Sequence, residues 1–505
     1  MAGGARIVHD TTGIDDRRLR LCRERRLTPL PDTRPLVLDV DGTFLRTDML
    51  MECFWAGLGR APLATLRAVF AHMRDRAALK AALARIAPLR VDLLPVNAQV
   101  AELAEGARGE GREVILASAS DISLVGPLAD HAGMDGVLAS DGVTNLRGEA
   151  KASALTDIFG KGEFIYAGDS RTDLPVWQAS GHAIVVGHAG GAARKLAGGR
   201  VGVTELAHGW RWVDLARAMR PHQWVKNALL ILPMLAAQDF GLAPLLLVLL
   251  GIVAFSAAAS CIYIVNDLLD LEADRLHPTK CRRPFASGKV PIAAGMVACG
   301  VLGLLALGIG AALGWKFLGV VVLYMILSLA YSLRLKRLRW VDIATLAALY
   351  TLRVVAGAAA SQVDASVFML VFIFPVFLTL GCVKRLTELT LAKTDERLPG
   401  RGYGRLDRGD LLNVASLGMA GAMVIFFMYS FSDQARALYP NQWLLWMAEI
   451  PIGAWLFRMI RLGYFGQQDY DPIVFALRDK RGIGLLLITL ALMFFAAGLW
   501  PRFFG

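Results

Sequence analysis

Four acids and an amide crowd into the nine residues Asn266-Asp267-Leu268-Leu269-Asp270-Leu271-Glu272-Ala273-Asp274, at the end of a long apolar run. An acidic side chain deep in a bilayer costs about 2.5–3.5 kcal/mol on insertion scales, so the cluster calls for a chemical reason. On a continuing helix Asp267, Asp270 and Asp274 are three and four residues apart and line one face. Their mutual repulsion is relieved by a hard divalent ion such as Mg²⁺, which takes one or two protein carboxylates and fills its other positions with water and phosphate oxygens. The pattern therefore predicts a diphosphate substrate. Basic side chains accompany it: Lys280, Arg282 and Arg283 follow directly, Lys384, Arg385 and Glu388 end a later apolar segment, and Arg353 lies within the one before. Some of these are membrane anchors, and the rest are available to phosphate groups. The competing reading is a solvated helix end whose acids serve solubility.

A second set lies in the first third of the chain. PLVLDV leads into Asp39-Val40-Asp41-Gly42-Thr43, EVILAS ends on Ser118, Lys151 sits in NLRGEAKASAL, and FIYAG runs into Gly168-Asp169-Ser170-Arg171-Thr172-Asp173. Two carboxylates one residue apart at a strand end allow one to attack as nucleophile while the other protonates the leaving group and then activates water. A hydroxyl and an ammonium can hold a substrate phosphate, and Asp169 with Asp39 can bind a hard cation through oxygens. Taken singly, the D-G pair is a turn and the serine and lysine are surface residues. Together they point to phosphate chemistry.

The elements that must position this second set are short, continuously apolar strands near Leu38, Ile115, Tyr166 and Val185, alternating with helical stretches. They predict an α/β domain with a parallel sheet covered on both faces and an active site at the carboxyl ends of its strands. The Ala-, Leu- and Arg-rich stretch from about 50 to 108 exceeds a single crossover and is read as a helical cap inserted over that site. In order and spacing the four segments resemble the haloacid dehalogenase (HAD) superfamily over about residues 34 to 195. That resemblance implies a Rossmannoid fold and a Mg²⁺-dependent phosphatase with an aspartyl-phosphate intermediate. Asp39 would be the nucleophile, Asp41 the acid/base, Ser118 and Lys151 phosphate ligands, and Asp169, supported by Asp173, a ligand of the metal that Asp39 and Asp41 face.

The whole chain has 505 residues, 55% hydrophobic and 19% charged, which is too apolar for one water-soluble body. Long apolar runs lie almost entirely beyond Asn227. The division expected is an N-terminal extension (1–33), a HAD-like domain (34–205), a linker and interfacial segment (206–226), and an all-α integral membrane bundle (227–505) of about nine transmembrane helices. Span centres fall near Ile231, Ile252, Leu304, Leu323, Leu349, Phe372, Met423, Trp455 and Leu490. The net charge of +11 sits in loops such as DRLHPTKCRRPFASGK, RLKRLR, the segment 384–410 and the segment 458–482, whereas AAQDFGLAP and ASQVDAS carry no Lys or Arg. By the positive-inside rule the basic loops and the first domain share the cytoplasmic side of the plasma membrane. The basic residues track membrane loops, which argues against a nucleic-acid partner. Six scattered cysteines with no C-x-x-C pair indicate neither a zinc site nor a disulfide framework. The charged first thirty residues do not read as a secretory signal.

The acidic element with nine spans resembles the UbiA superfamily of intramembrane prenyltransferases. More narrowly, R-P-x-Q-W-x-K-N from Arg220 through Lys226 to Asn227, the N-D-x-x-D-x-E-A-D-x-x-H-P-T-K run from Asn266, and K-R-x-x-E-L from Lys384 are similar to its decaprenyl-phosphate phosphoribosyltransferase branch. The resemblance implies transfer of 5-phosphoribose from phosphoribosyl diphosphate to a polyprenyl phosphate, with Mg²⁺ as cofactor and the bilayer as its setting. Asp267, Asp270 and Asp274 would hold the metal on the departing diphosphate, oriented by Asn266 and Glu272. Lys226, Asn227, Lys280, Arg283, Lys384 and Arg385 would meet the substrate, and Glu388 would contact the ribose or organise that cluster. Aromatic prenyltransferases of the superfamily carry a second aspartate-rich motif after the sixth span, where this chain has K-R-L-T-E-L. The fused phosphatase would then remove the 5-phosphate of the transferase product. Two rivals remain: an aromatic prenyltransferase joined to an unrelated phosphatase, and a non-enzymatic lipid carrier.

Overall fold

A computed structural model describes residues 33–187, 191, 202–206, 209–363, 366–392, 402–468 and 471–499. The N-terminal extension up to residue 32, with Cys22, and residues 393–401 of the long basic loop lie outside the described residues. The chain divides into two compact units, Met1–Phe44 with Val96–His208 and Leu45–Pro95 with Gly209–Gly505.

The first unit is built on six parallel strands: β1 (Leu36–Leu38), β2 (Val114–Asp121), β3 (Gly136–Ser140), β4 (Ile165–Gly168), β5 (His182–Val186) and β6 (Gly202–Leu206), in the order β3-β2-β1-β4-β5-β6. Leu36 pairs with Val114 on one side and Ile165 on the other, so β1 is central and flanked on both edges. Four of these strands are the continuous apolar runs of the sequence. The others, GVLAS and GVTEL, are partly exposed at the sheet edges and carry little pattern of their own. Val37, Phe164, Tyr166, Trp177 and Val185 fill one core of this unit. The chain turns from one half of the sheet to the other between β1 and β4, which places a crevice beyond their carboxyl ends.

The stretch read as a cap is divided. Ala98–Gly109 packs on β2, whereas Met49–Arg60, Pro62–Ala71 and Arg76–Ile86 belong to the unit that contains the membrane helices. Its apolar side meets a specific partner there: Trp55, Met51, Phe54 and Leu58 share a core with Ile264, Leu268, Leu271, Phe285 and Ile292. The helix Trp212–Ala218, which the sequence places in a linker, joins the same core through Leu215 and Ala218.

Seven helices of the described residues are long and apolar enough to cross a membrane: Leu242–Leu269, Ile292–Leu313, Trp315–Leu333, Arg339–Ser361, Val367–Leu391, Arg405–Ser430 and Gln442–Tyr464. The count of about nine is thus approximate. Near Ile231 the chain forms a 3₁₀ segment, Pro221–Ile231, and a five-residue helix, Leu232–Ala236, because Pro221 and Pro233 each remove a backbone donor. The last, Lys480–Ala496, has 17 residues and rises about 25 Å, short of a hydrocarbon core of about 30 Å. The chain is an integral membrane protein with an α/β unit attached.

Candidate active sites

In the first unit the site forms where β1 and β4 end. Asp39 follows β1 directly, and its backbone N–H donates to the Ala167 carbonyl of β4 at 2.9 Å, which fixes the two strand ends together. Oxygens of Asp39, Asp169 and Asp173 lie within 4.8 Å of one another. Lys151, on the helix Glu149–Phe159, is 3% exposed and reaches in to Asp39 Oδ1 at 2.6 Å, the Ala117 carbonyl at 3.1 Å and the Tyr166 hydroxyl at 3.0 Å. Tyr166 in turn donates to Asp173 Oδ1 at 3.1 Å. Burial, with the neighbouring carboxylates Asp173 and Asp41 and against the pull of Lys151, lifts Asp39 to about 7. Burial and the same crowding lift Asp169 to about 8. Burial opposes the charge on Lys151, yet Asp39 and Asp173 hold its pKa above the ordinary value.

Such a cluster of oxygens carrying excess negative charge fits a hard cation. Gly42 supports the fit: at φ +81° it takes the left-handed turn, and a Cβ there would collide with the Asp169 carboxylate. Asp41 stands apart from the three-carboxylate group. Its Oδ2 accepts from Ser120 Oγ at 2.6 Å and Ser118 Oγ at 3.4 Å. Ser120 and Tyr166 were not foreseen from the sequence. Ser120 shares a face of β2 with Ser118 two residues away, a period-two signal that was there to be read.

In the membrane unit the acidic motif does not run as one straight helix. Leu242–Leu269 stops at Asp270 and a new helix, Leu271–Leu276, follows. Asp267 and Asp274 come together on one guanidinium: Arg283 Nη1 lies 3.1 Å from Asp267 Oδ1 and 2.6 Å from Asp274 Oδ2. Arg220 also pairs with Asp267 and stacks over Tyr263 at 5.1 Å. Asp270 points elsewhere, to Lys336 at 3.4 Å, and Glu272 pairs with Arg60. The expected single face of three carboxylates is therefore two, because the break at Asp270 turns its side chain away. Burial, against the pull of Arg283, raises the Asp274 carboxyl above the usual range. Asn266 Oδ1 is buried and has no hydrogen-bond partner among the described residues. Asp267 and Asp274, two buried carboxylates brought together on Arg283, are hard-oxygen donors of the kind Mg²⁺ takes.

A second cluster gathers Lys226, Lys384 and Asp471. Lys226 pairs with Asp471 and sits 5.9 Å from the Tyr350 ring centre. Burial opposes the charge of Asp471, but Lys226 and Lys384 hold its carboxyl below the usual range. Asn227 donates to Ser256 at 2.9 Å and accepts from Arg353 Nε at 3.0 Å, and Arg353 lies over Tyr324 at 4.9 Å. Arg385 is closed into the protein: its guanidinium takes Asp342 with Nε and Nη2, Tyr331 with Nη2 and Glu388 with Nη1. Arg385 and Glu388 thus brace the helices Arg339–Ser361 and Val367–Leu391. Lys280 lies on the 3₁₀ turn Lys280–Arg282, beside the acidic motif. Arg220 and Asp471 were missed as site residues. Asp471 caps the helix Pro472–Ala476 by accepting from Ile473 and Val474, so its D-P sequence reads locally as a cap.

Residues 228–391 match the model of the UbiA prenyltransferase family. Over 474 residues the chain is 35% identical to protein y4nM of Sinorhizobium fredii, covering 91% of this chain and 90% of that one, so the likeness includes both halves. It is 39% identical over 273 residues to a decaprenyl-phosphate phosphoribosyltransferase of Mycobacterium tuberculosis, 53% of this chain and 88% of that protein. Among solved structures, a HAD family hydrolase from Salmonella enterica serovar Typhi aligns with 36% of this chain and 73% of its own, at 16% identity and a TM-score of 0.27.

Proposed function

The chain belongs to the UbiA prenyltransferase family, and from that premise we propose that its membrane unit transfers 5-phosphoribose from phosphoribosyl diphosphate to a polyprenyl phosphate. The observation that carries the reading is the pairing of Asp267 and Asp274 on Arg283, in a chain similar along 88% of a decaprenyl-phosphate phosphoribosyltransferase. Mg²⁺ held by Asp267 and Asp274 would neutralise the departing diphosphate. Arg220 and Arg283 then turn from the carboxylates toward diphosphate oxygens, as bidentate guanidinium chemistry favours. Lys226 and Lys384 take the remaining phosphate charge, with Asp471 holding their ammonium groups in place when the site is empty. As the C1–diphosphate bond breaks, ribose C1 gains oxocarbenium character, and an acceptor phosphate oxygen closes on it. No protein nucleophile is needed: positioning and charge neutralisation lower the barrier.

The first unit acts on the phosphorylated product in this reading. Asp39 attacks phosphorus, the ribose O5 leaves with a proton from Asp41, and Asp41 then takes a proton from the water that hydrolyses the aspartyl-phosphate. Lys151 holds Asp39 and a phosphate oxygen, and Asp169 and Asp173 carry the cation. The product is polyprenyl-phosphoryl ribose. Lys280–Arg283 follow the acidic motif and Lys336 lies 3.4 Å from Asp270, and the positive-inside rule supports a cytoplasmic face for this chemistry.

The test uses the purified full chain with Mg²⁺, polyprenyl phosphate and ribose-labelled phosphoribosyl diphosphate, with labelled lipids resolved by mass. Wild type should yield ribosylated lipid without the 5-phosphate, Asp39→Asn should accumulate the phosphorylated form, and Asp267→Asn should make neither. A wild type that labels no lipid but prenylates an aromatic acceptor overturns the donor assignment, and one that does neither removes the enzymatic reading.

A further inference from the structure

Helix Pro62–Ala71 has two unlike faces. Thr65 turns inward, fully buried against Gly57 of the preceding helix. Leu63 and Phe70 are 71% and 73% exposed, and Leu66 and Met73 are exposed with them. Steps of three and four put Leu63, Leu66 and Phe70 on one stripe, with Met73 in the turn that follows. Arg67 and Arg74, both exposed, flank it. The insertion from 45 to 95 that carries this helix has eight Lys or Arg against four Asp or Glu. An exposed row of leucine, phenylalanine and methionine marks an interaction surface, and arginines along its border select a partner with negative charge.

The attachment of the helix decides which partner. It begins two residues after Arg60, which pairs with Glu272, and Gly59 packs against the Leu269 carbonyl at the end of the membrane helix Leu242–Leu269. The preceding helix Met49–Arg60 also packs on the membrane helix Ile292–Leu313, and its Trp55 shares a core with Ile292. Glu52 clamps Arg275 with both carboxylate oxygens at 2.5 and 3.1 Å, the two side chains being 3% and 8% exposed. The insertion is therefore anchored to the ends of two spans, at the level where hydrocarbon gives way to headgroups. We propose that Pro62–Ala71 lies in the membrane interface, with Leu63, Leu66, Phe70 and Met73 at the boundary of acyl chains and headgroups and Arg67 and Arg74 on the phosphates of anionic lipids. The partner is the bilayer that holds the chain's own spans. The helix is only ten residues long, too short to bind a membrane alone with useful strength, but its attachment to the bundle supplies the effective concentration that its apolar area lacks. The insertion then has two holds, side chains on the acidic-motif segment and a lipid contact beside it.

This inference is independent of the reaction assigned above, and its test reads no turnover. Benzoylphenylalanine is placed singly at Leu63, Phe70 and, as a reference within a span, Leu304 of the full chain in nanodiscs containing phosphatidylglycerol. After irradiation the adducts are identified by mass spectrometry. The expected result is phospholipid adducts at Leu63 and Phe70 in yields within several-fold of Leu304. Adducts only to a second copy of the chain would make this face a dimer contact, adducts only to other parts of the same chain would make it an internal interface, and recovery of unreacted label would make it a water-exposed surface. Each of these three outcomes overturns the interfacial placement.

Discussion

Asp39 and Asp169 hold their protons more tightly than ordinary carboxyl groups. Their pKa values of about 7 and about 8 come from burial and mutual crowding. A cation bound there, as proposed, would displace those protons, so binding should release protons and strengthen as pH rises. Titrating the full chain with Mg²⁺ by calorimetry at about pH 6 and about pH 8.5 should give an apparent affinity about tenfold weaker per pH unit per displaced proton on the acid side. An affinity that does not change over this range would mean that the crowded carboxylates are not the ligands. The membrane site solves the same electrostatic problem differently. Asp267 and Asp274 share Arg283, and Asp267 has Arg220 as well, so their charge is met by guanidinium groups that phosphate can recruit. At this scale the sequence displayed residue types well and pairings poorly. D-x-D after a strand and D-x-x-D after a span were visible, but Arg220 meeting Asp267 across 47 residues, or Lys226 meeting Asp471 across 245, leaves no local trace.

At the scale of elements the decisive contact is the one between the inserted helices and the segment after Asp270. Strands β1, β2, β4 and β5 were legible because each is a short apolar run with its own polar end, and seven spans were legible because length and hydropathy suffice. The helices from Met49 to Ile86 were legible as helices, but their assignment depended on which surface their apolar side meets, a tertiary fact that periodicity does not contain. Glu52 and Arg275 carry that fact. Their side chains are 3% and 8% exposed, and removing one partner strands a buried charge, a change that costs about 3–5 kcal/mol in comparable buried pairs. Glu52→Ala should therefore loosen the Leu271–Leu276 segment, lowering the thermal transition of the detergent-solubilised chain and its lipid ribosylation together. Glu52→Gln, which keeps one hydrogen bond, should fall between. Phosphatase turnover on a small soluble phosphate should be retained in both. Unchanged melting and ribosylation in Glu52→Ala would show the clamp to be incidental.

For the whole molecule the question is why two phosphate chemistries share one chain. In the proposed reading a polyprenyl-linked product would not leave the bilayer, its 5-phosphate would stay at the membrane face, and a hydrolase on the same chain would meet it at an effective concentration set by the tether. Protein y4nM, similar along both halves, presents the same pairing of lengths. The sequence suggested this pairing through its two motif sets, and transfer of the proposed intermediate between them is read by a separation experiment. Asp39→Asn retains the proposed transferase and Asp267→Asn the proposed phosphatase, so a mixture of the two contains both activities on different chains. Placed in separate nanodiscs, where the lipid cannot exchange, the mixture should accumulate the phosphorylated ribosyl lipid. Co-reconstituted in one vesicle, it should complete the dephosphorylation, at a slower rate than wild type at equal protein. If the co-reconstituted pair matches wild type, the tether contributes nothing beyond delivery to the membrane. If it fails to dephosphorylate at all, the product of one chain is open only to its own phosphatase unit.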